Sequence, residues 1–148
     1  MVKERGSMMV TYINMLTVED YNMLRKAVGW GSCNPTKVRM ALDRSDFLIS
    51  AQINGKTVGM ARVIQDGLQA LVMDVIVLLE YQRQRIGKIM MERLMEYLNG
   101  ISRGGGIFIN LMSAIDRDGF YGQFGFESRH NEKRGPGMTL WLDNKEDA

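Results

Sequence analysis

The chain has 148 residues, 45% hydrophobic and 24% charged, the size and mix of a single soluble globular domain and unlike disordered, collagen-like or coiled-coil chains. Nineteen basic against 17 acidic residues leave a formal net charge of only +2, too little for general binding to nucleic acid or a membrane surface, so any anion site must be local. With one cysteine, Cys33, and one histidine, His130, an intramolecular disulfide and a Cys/His metal cluster are both excluded by counting.

No apolar h-region follows the charged start at Met1-Val2-Lys3-Glu4-Arg5-Gly6, and no run of about 18 apolar residues offers a membrane span. The expectation is a soluble, reduced, cytoplasmic protein. Without a linker, low-complexity tract or internal repeat, residues 1–148 read as one domain.

In chain order, Val10 to Met15 suits a first strand. Thr17 supplies an N-cap and Glu19 and Asp20 suit the first turn of a helix expected from Val18 to Val28. Gly29-Trp30-Gly31-Ser32 breaks it, and Asn34-Pro35 caps a second, short helix running to about Leu42. Phe47 to Ile53 and Thr57 to Ile64 are strands joined through Asn54-Gly55, the strongest short hairpin signal. After the turn at Asp66-Gly67, the run Leu68 to Leu79 is apolar almost throughout, broken only by Gln69 and Asp74. Such continuity predicts a strand covered on both faces, at the middle of the sheet.

From Ile86 the positions Ile86, Ile89, Met90, Leu94, Tyr97 and Leu98 recur at helical spacing up to Asn99-Gly100. Ile107 to Met112 is a further strand, which makes a βαβ unit with two parallel strands. A short helix around Ile115 to Phe124 and a last strand, Met138 to Leu142, close the chain. The fold class is α/β with a mixed sheet, an antiparallel meander leading into one parallel pair, flanked by helices.

Between the central strand and its helix lies Leu79-Glu80-Tyr81-Gln82-Arg83-Gln84-Arg85-Ile86-Gly87-Lys88. Here cations, a glycine and a helix start coincide. A helix N-terminus presents unpaired N–H groups and a partial positive charge, and Arg83, Arg85 and Lys88 add full charges around it. The nucleoside-triphosphate loop fails on this stretch at two positions, Gln82 and Ile89. The dinucleotide fingerprint fails as well, because Gly104-Gly105-Gly106 precedes a strand. Neither ATP nor NAD is supported.

Gln82-Arg83-Gln84-Arg85-Ile86-Gly87 instead resembles the acyl-CoA loop of the GNAT (GCN5-related) N-acetyltransferases, [QR]-x-x-G-x-[GA], which follows a central strand and opens a helix. Arg85 stands where the first glycine is expected, so a backbone that needed positive φ or very close approach to the pyrophosphate there would be strained or rearranged. An arginine there adds a charge-assisted contact to phosphate. Independently, Gly119-Phe120-Tyr121-Gly122-Gln123-Phe124-Gly125-Phe126 resembles the family's F-Y-x-x-x-G-F segment. With the strand order, the resemblance spans about Phe47 to Leu142, and the stretch from Phe126 to Met138 is similar to one bacterial subgroup.

The resemblance implies a splayed parallel strand pair that admits the pantetheine arm of acetyl-CoA. Val77, Leu78 and Leu79 would then offer main-chain contacts to the pantetheine and the thioester oxygen, and Gln82, Arg83, Gln84, Arg85, Ile86, Gly87 and Lys88 would hold the pyrophosphate. Tyr121 matches the family's proton donor to the departing thiolate, acting from an ordinary pKa near 10 against about 8.5 for a thiol. Transfer is expected to be direct, without a covalent role for Cys33 and without a metal.

For Asp74 a strand-face carboxylate and a general base are both open readings, and for Glu80 a solvated loop acid and a base. Trp30, on its flexible break, either packs the core edge or covers the acceptor. His130 sits among Arg129, Glu132, Lys133 and Arg134 and reads as a loop residue. The expected acceptor is a primary amine of a small molecule; acetylation of a protein or peptide, and a non-catalytic CoA-binding module, are the alternatives. No nucleic acid or membrane partner is expected, and a homodimer is implied by the resemblance alone.

Overall fold

The computed structural model describes residues 9–143. These form two compact units, one ending at Leu111 and one beginning at Met112. The first unit opens with β1 (Thr11–Ile13) and two short helices, α1 (Val18–Ala27) and α2 (Pro35–Asp43). Both helices start where the caps predict. Thr17 Oγ1 accepts from the Asp20 amide at 3.1 Å, and Asn34 Oδ1 accepts from the Thr36 and Lys37 amides with Pro35 in the first turn.

The strands β2 (Phe47–Ile53), β3 (Lys56–Gln65), β4 (Gln69–Val77) and β5 (Phe108–Leu111) join β1 in one five-stranded sheet, in the order β1-β2-β3-β4-β5. Pairing is antiparallel up to β4 and parallel between β4 and β5. Asn54 and Gly55 both take positive φ, 50° and 78°, the two left-handed residues that the β2–β3 hairpin turn requires.

α3 (Ile86–Ile101) lies over β2 and β3, and α1 over β3 and β4. Alternation along β3 separates the two faces. Gln65 Nε2 donates to Tyr97 Oη of α3, whereas Arg62 turns toward the α1 side. The apolar stripe of α3 is buried at Ile86, Met90, Met91, Leu94 and Leu98, and a Cβ placed on Gly59 would come within 3.1 Å of Met90 Cε. Glycine at position 59 lets α3 sit this close to the sheet.

Two expectations need correction. The middle strand is β3, buried continuously from Thr57 to Val63, and β4 lies one place further along with only Ala70, Val72 and Ile76 buried. Apolar composition marked β4 as interior, but it could not show that its partner β5 covers only four residues of it. Met138 to Leu142 forms no strand: Trp141 and Leu142 are each about four-fifths exposed and no ladder takes the segment among the described residues. An apolar run shows that a segment is able to pair, not that a partner edge exists.

The second unit is built on α4 (Asp118–Gly122). Its aromatic residues pack edge to face, Phe120 against Tyr121 at 5.1 Å and against Phe124 at 5.5 Å, and Tyr121 against Phe126 at 6.2 Å. Asn131 Oδ1 accepts from the Lys133 and Arg134 amides to fold the loop that carries the exposed His130.

Candidate active site

The β4–β5 ladder ends at Val72↔Leu111, while β4 goes on pairing with β3 as far as Val77↔Gly59. Beyond Val72, the edge of β4 that faced β5 has no ladder among the described residues. Leu78 donates its N–H to the Val58 carbonyl at 2.9 Å, which keeps that amide on the β3 side. Alternation turns the main-chain groups of Val77 to the opposite edge. The Val77 carbonyl there accepts from Gln82 Nε2 at 3.0 Å. Gln82 therefore ties the following turn to the end of the strand.

That turn begins as a single 3₁₀ turn, Leu79–Tyr81, with Leu79 and Glu80 exposed. Arg83 and Arg85 both take positive φ, 62° and 68°, and Arg85 is the left-handed residue immediately before α3, with no side-chain cap. The glycine position of the acyl-CoA motif thus does adopt a left-handed backbone, and an arginine occupies it at a strain of roughly 1 kcal/mol. Ile86 is buried and anchors the helix start, whereas Arg83, Gln84 and Arg85 are exposed and Gly87 and Lys88 half-buried. No ion pair neutralises Arg83, Arg85 or Lys88 among the described residues. The amides of the first turn of α3 lack partners within the helix, so fixed charge and free donors stand on one short stretch, the combination that suits an anion.

Asp74 marks a different locus, on the α1 side of the sheet. The register jumps from Met60↔Ile76 to Arg62↔Met73, so Asp74 and Val75 face the single residue Ala61, a bulge with Asp74 at φ 54°. Its Oδ2 accepts from Tyr21 Oη at 2.8 Å and from Arg62 Nε at 2.7 Å, and Oδ1 lies 3.6 Å from Arg25 Nη1. Burial, then the Asp74 charge and hydrogen bond, push the Tyr21 hydroxyl up to about 12. It is a fixed donor at neutral pH.

Arg25 also reaches the Trp30 turn. Its Nε donates to the Gly31 carbonyl at 3.1 Å, its Nη2 to the Trp30 carbonyl at 3.3 Å, and its guanidinium lies 5.6 Å from the centre of the Trp30 ring. Trp30 and Asp74 are thereby brought into one cluster, while Glu80 stands apart on the 3₁₀ turn. Sequence reasoning missed Tyr21, Arg25 and Arg62. One signal was readable: Arg62 is the lone charge within Thr57–Ile64, as Asp74 is within Leu68–Leu79, and a lone cation and a lone anion on successive apolar strands invite pairing.

Tyr121 lies in the second unit, on α4, with its ring buried among Phe120 and Phe126. Burial pushes its hydroxyl above the ordinary tyrosine value, opposed by the Arg117 charge. It is protonated at neutral pH, the state a proton donor needs. Among the described residues no three His, Cys, Asp or Glu side chains gather as metal ligands, and no helix is long and apolar enough to cross a membrane.

A five-stranded mixed sheet with one parallel pair whose ladder stops at Val72↔Leu111, and a basic turn into the following helix, is the architecture of an acetyltransferase domain. The family model for the acetyltransferase (GNAT) domain matches residues 25–141, and the chain belongs to that family. A Staphylococcus aureus protein described as a probable acetyltransferase superposes with a TM-score of 0.82 at 29% identity, over 90% of this chain and 100% of that one. A GNAT family acetyltransferase of Streptococcus pneumoniae gives 0.69 at 27% identity, over 93% and 99%. The uncharacterized N-acetyltransferase ycf52 of Pyropia yezoensis is 31% identical over 77% of this chain, and the chloroplastic GCN5-related N-acetyltransferase 1 of Arabidopsis thaliana is 31% identical over 86%. The chain spans just under two thirds of the length of these curated relatives, 65% and 64%.

Proposed function

We propose that the chain is an acetyl-CoA-dependent N-acetyltransferase that moves acetyl directly to a primary amine of a small molecule in the cytoplasm. The observation that carries this reading is the edge of β4 beyond Val72, which has no ladder partner among the described residues and leads into a cationic turn that no ion pair neutralises among them, at the start of a 16-residue helix. Strand edge and turn together suit a ligand that is an extended amide chain at one end and a diphosphate at the other.

In this reading, acetyl-CoA supplies an activated thioester carbonyl. The main chain of Val77 and Leu79 pairs with the pantetheine amides. Leu78, expected to share in this, does not, because its N–H is held by the Val58 carbonyl and its carbonyl by the Tyr81 amide. Gln82 holds the turn against the strand. Gln84, the amides of Ile86, Gly87 and Lys88, and the side chains of Arg83, Arg85 and Lys88 bind the diphosphate. Its match to the family's proton donor assigns to Tyr121 the proton that the departing thiolate takes. Trp30 walls the acceptor side, steadied by Arg25 and by the Asp74 carboxylate, whose oxygens are engaged by three donors. Asp74 is thus a positioning residue, and of these two acids the exposed Glu80 is the one left to receive the amine proton.

The test is acetyl transfer from acetyl-CoA to a panel of small amines and peptides, followed by thiol release. Turnover on small amines is expected. Turnover confined to peptides would move the reading to protein acetylation, and coenzyme A binding without turnover on either class would make the chain a binding module.

A further inference from the structure

A cleft of about 570 Å³ opens on the α3 side of the sheet, between the β1–β2 edge and the C-terminal half of α3. Its size is that of ordinary small-molecule sites, roughly 300–1,000 Å³. None of its lining residues belongs to the candidate active site. Ile49 is buried at its base, and the rings of Phe47 and Tyr97 stack at 5.1 Å beside it, the latter fixed by the hydrogen bond from Gln65.

Arg93 and Glu96 line the cleft as well, and both are exposed. They are three residues apart on α3 and share one side of the helix, yet neither forms an ion pair among the described residues. The Arg93 guanidinium lies 4.9 Å from the centre of the Tyr12 ring. Tyr12 Oη is buried beside the cleft with no hydrogen-bond partner among the described residues, a cost that folded proteins seldom carry without a role for the group.

We propose that this cleft binds a free α-amino acid with an apolar side chain. The carboxylate would be held by Arg93 and the ammonium by Glu96, with the side chain laid over Phe47 and Tyr97. Neighbouring charges of opposite sign that do not pair with each other select a ligand carrying both. A simple anion is repelled by Glu96 and a simple amine by Arg93. The planar guanidinium suits two-point recognition of a carboxylate, and the stacked rings supply the apolar contact area.

The experiment is calorimetry on the full chain with three probes: L-phenylalanine, 3-phenylpropionate, which lacks the ammonium, and 2-phenylethylamine, which lacks the carboxylate. L-Phenylalanine is expected to bind, and each truncated probe at least about tenfold more weakly. Arg93→Met is expected to weaken L-phenylalanine binding by at least about tenfold at an unchanged melting temperature. Should that variant not fold, Glu96→Gln serves, because it is expected to abolish the preference for L-phenylalanine over 3-phenylpropionate. No binding of L-phenylalanine at millimolar concentration, or wild-type affinity and preference in the folded variants, overturns the proposal. Either failure leaves the coenzyme A reading untouched, since no residue is shared.

Discussion

Two loci of this chain place charge beside a left-handed, non-glycine residue, and they treat that charge in opposite ways. At Asp74, in the β4 bulge, one carboxylate engages Tyr21, Arg25 and Arg62 and is mostly shut away from water. At Arg85, before α3, three cations stand together and none forms an ion pair among the described residues. Cations neutralised from within build a scaffold, whereas cations left open at a helix start are available to an anion from outside. The first locus should therefore govern stability and the second affinity.

The largest expected effect comes from breaking the first locus. Asp74→Ala leaves Arg25 and Arg62 without their acid and Tyr21 Oη without its acceptor, and should cost about 3–5 kcal/mol in urea unfolding. A loss below about 1 kcal/mol would erase the contrast. Next, Tyr121→Phe should lower turnover roughly a hundredfold while coenzyme A affinity stays unchanged. Steady-state kinetics beside a binding titration separate the two, and unchanged turnover would remove Tyr121 from the chemistry.

A smaller effect tests backbone strain at the second locus. Arg85→Ala keeps a side chain in the left-handed region and Arg85→Gly does not, so the glycine variant should be the more stable by about 1 kcal/mol in thermal unfolding. The smallest effect is a pH slope. The folded state holds the Tyr21 hydroxyl protonated up to about 12, against about 10 in an unfolded chain. That stabilisation is complete below pH 10 and is lost as the pH rises through about 12. Tyr21→Phe should flatten the stability curve over that window.

Much of the fold was legible because local signals and burial agree. Thr17 and Asn34-Pro35 set two helix starts, Asn54-Gly55 the hairpin, and the stripe Ile86, Met90, Leu94 and Leu98 the face of α3. The cationic turn was legible for the same reason, since its residues are contiguous. The Asp74 cluster was not, because Tyr21, Arg25, Arg62 and Asp74 are brought together only by a bulge whose register depends on the partner strand. Nor could the apolar run at Met138–Leu142 report whether a ladder would receive it.

The most direct measurement is isothermal titration of coenzyme A into the full chain and into the Arg83→Ala/Arg85→Ala double variant at low and high salt. The native chain is expected to bind coenzyme A more weakly as salt rises, and a double variant of unchanged stability to bind it at least about tenfold more weakly. No heat with the native chain, or equal affinity in the two proteins, would contradict the coenzyme A reading.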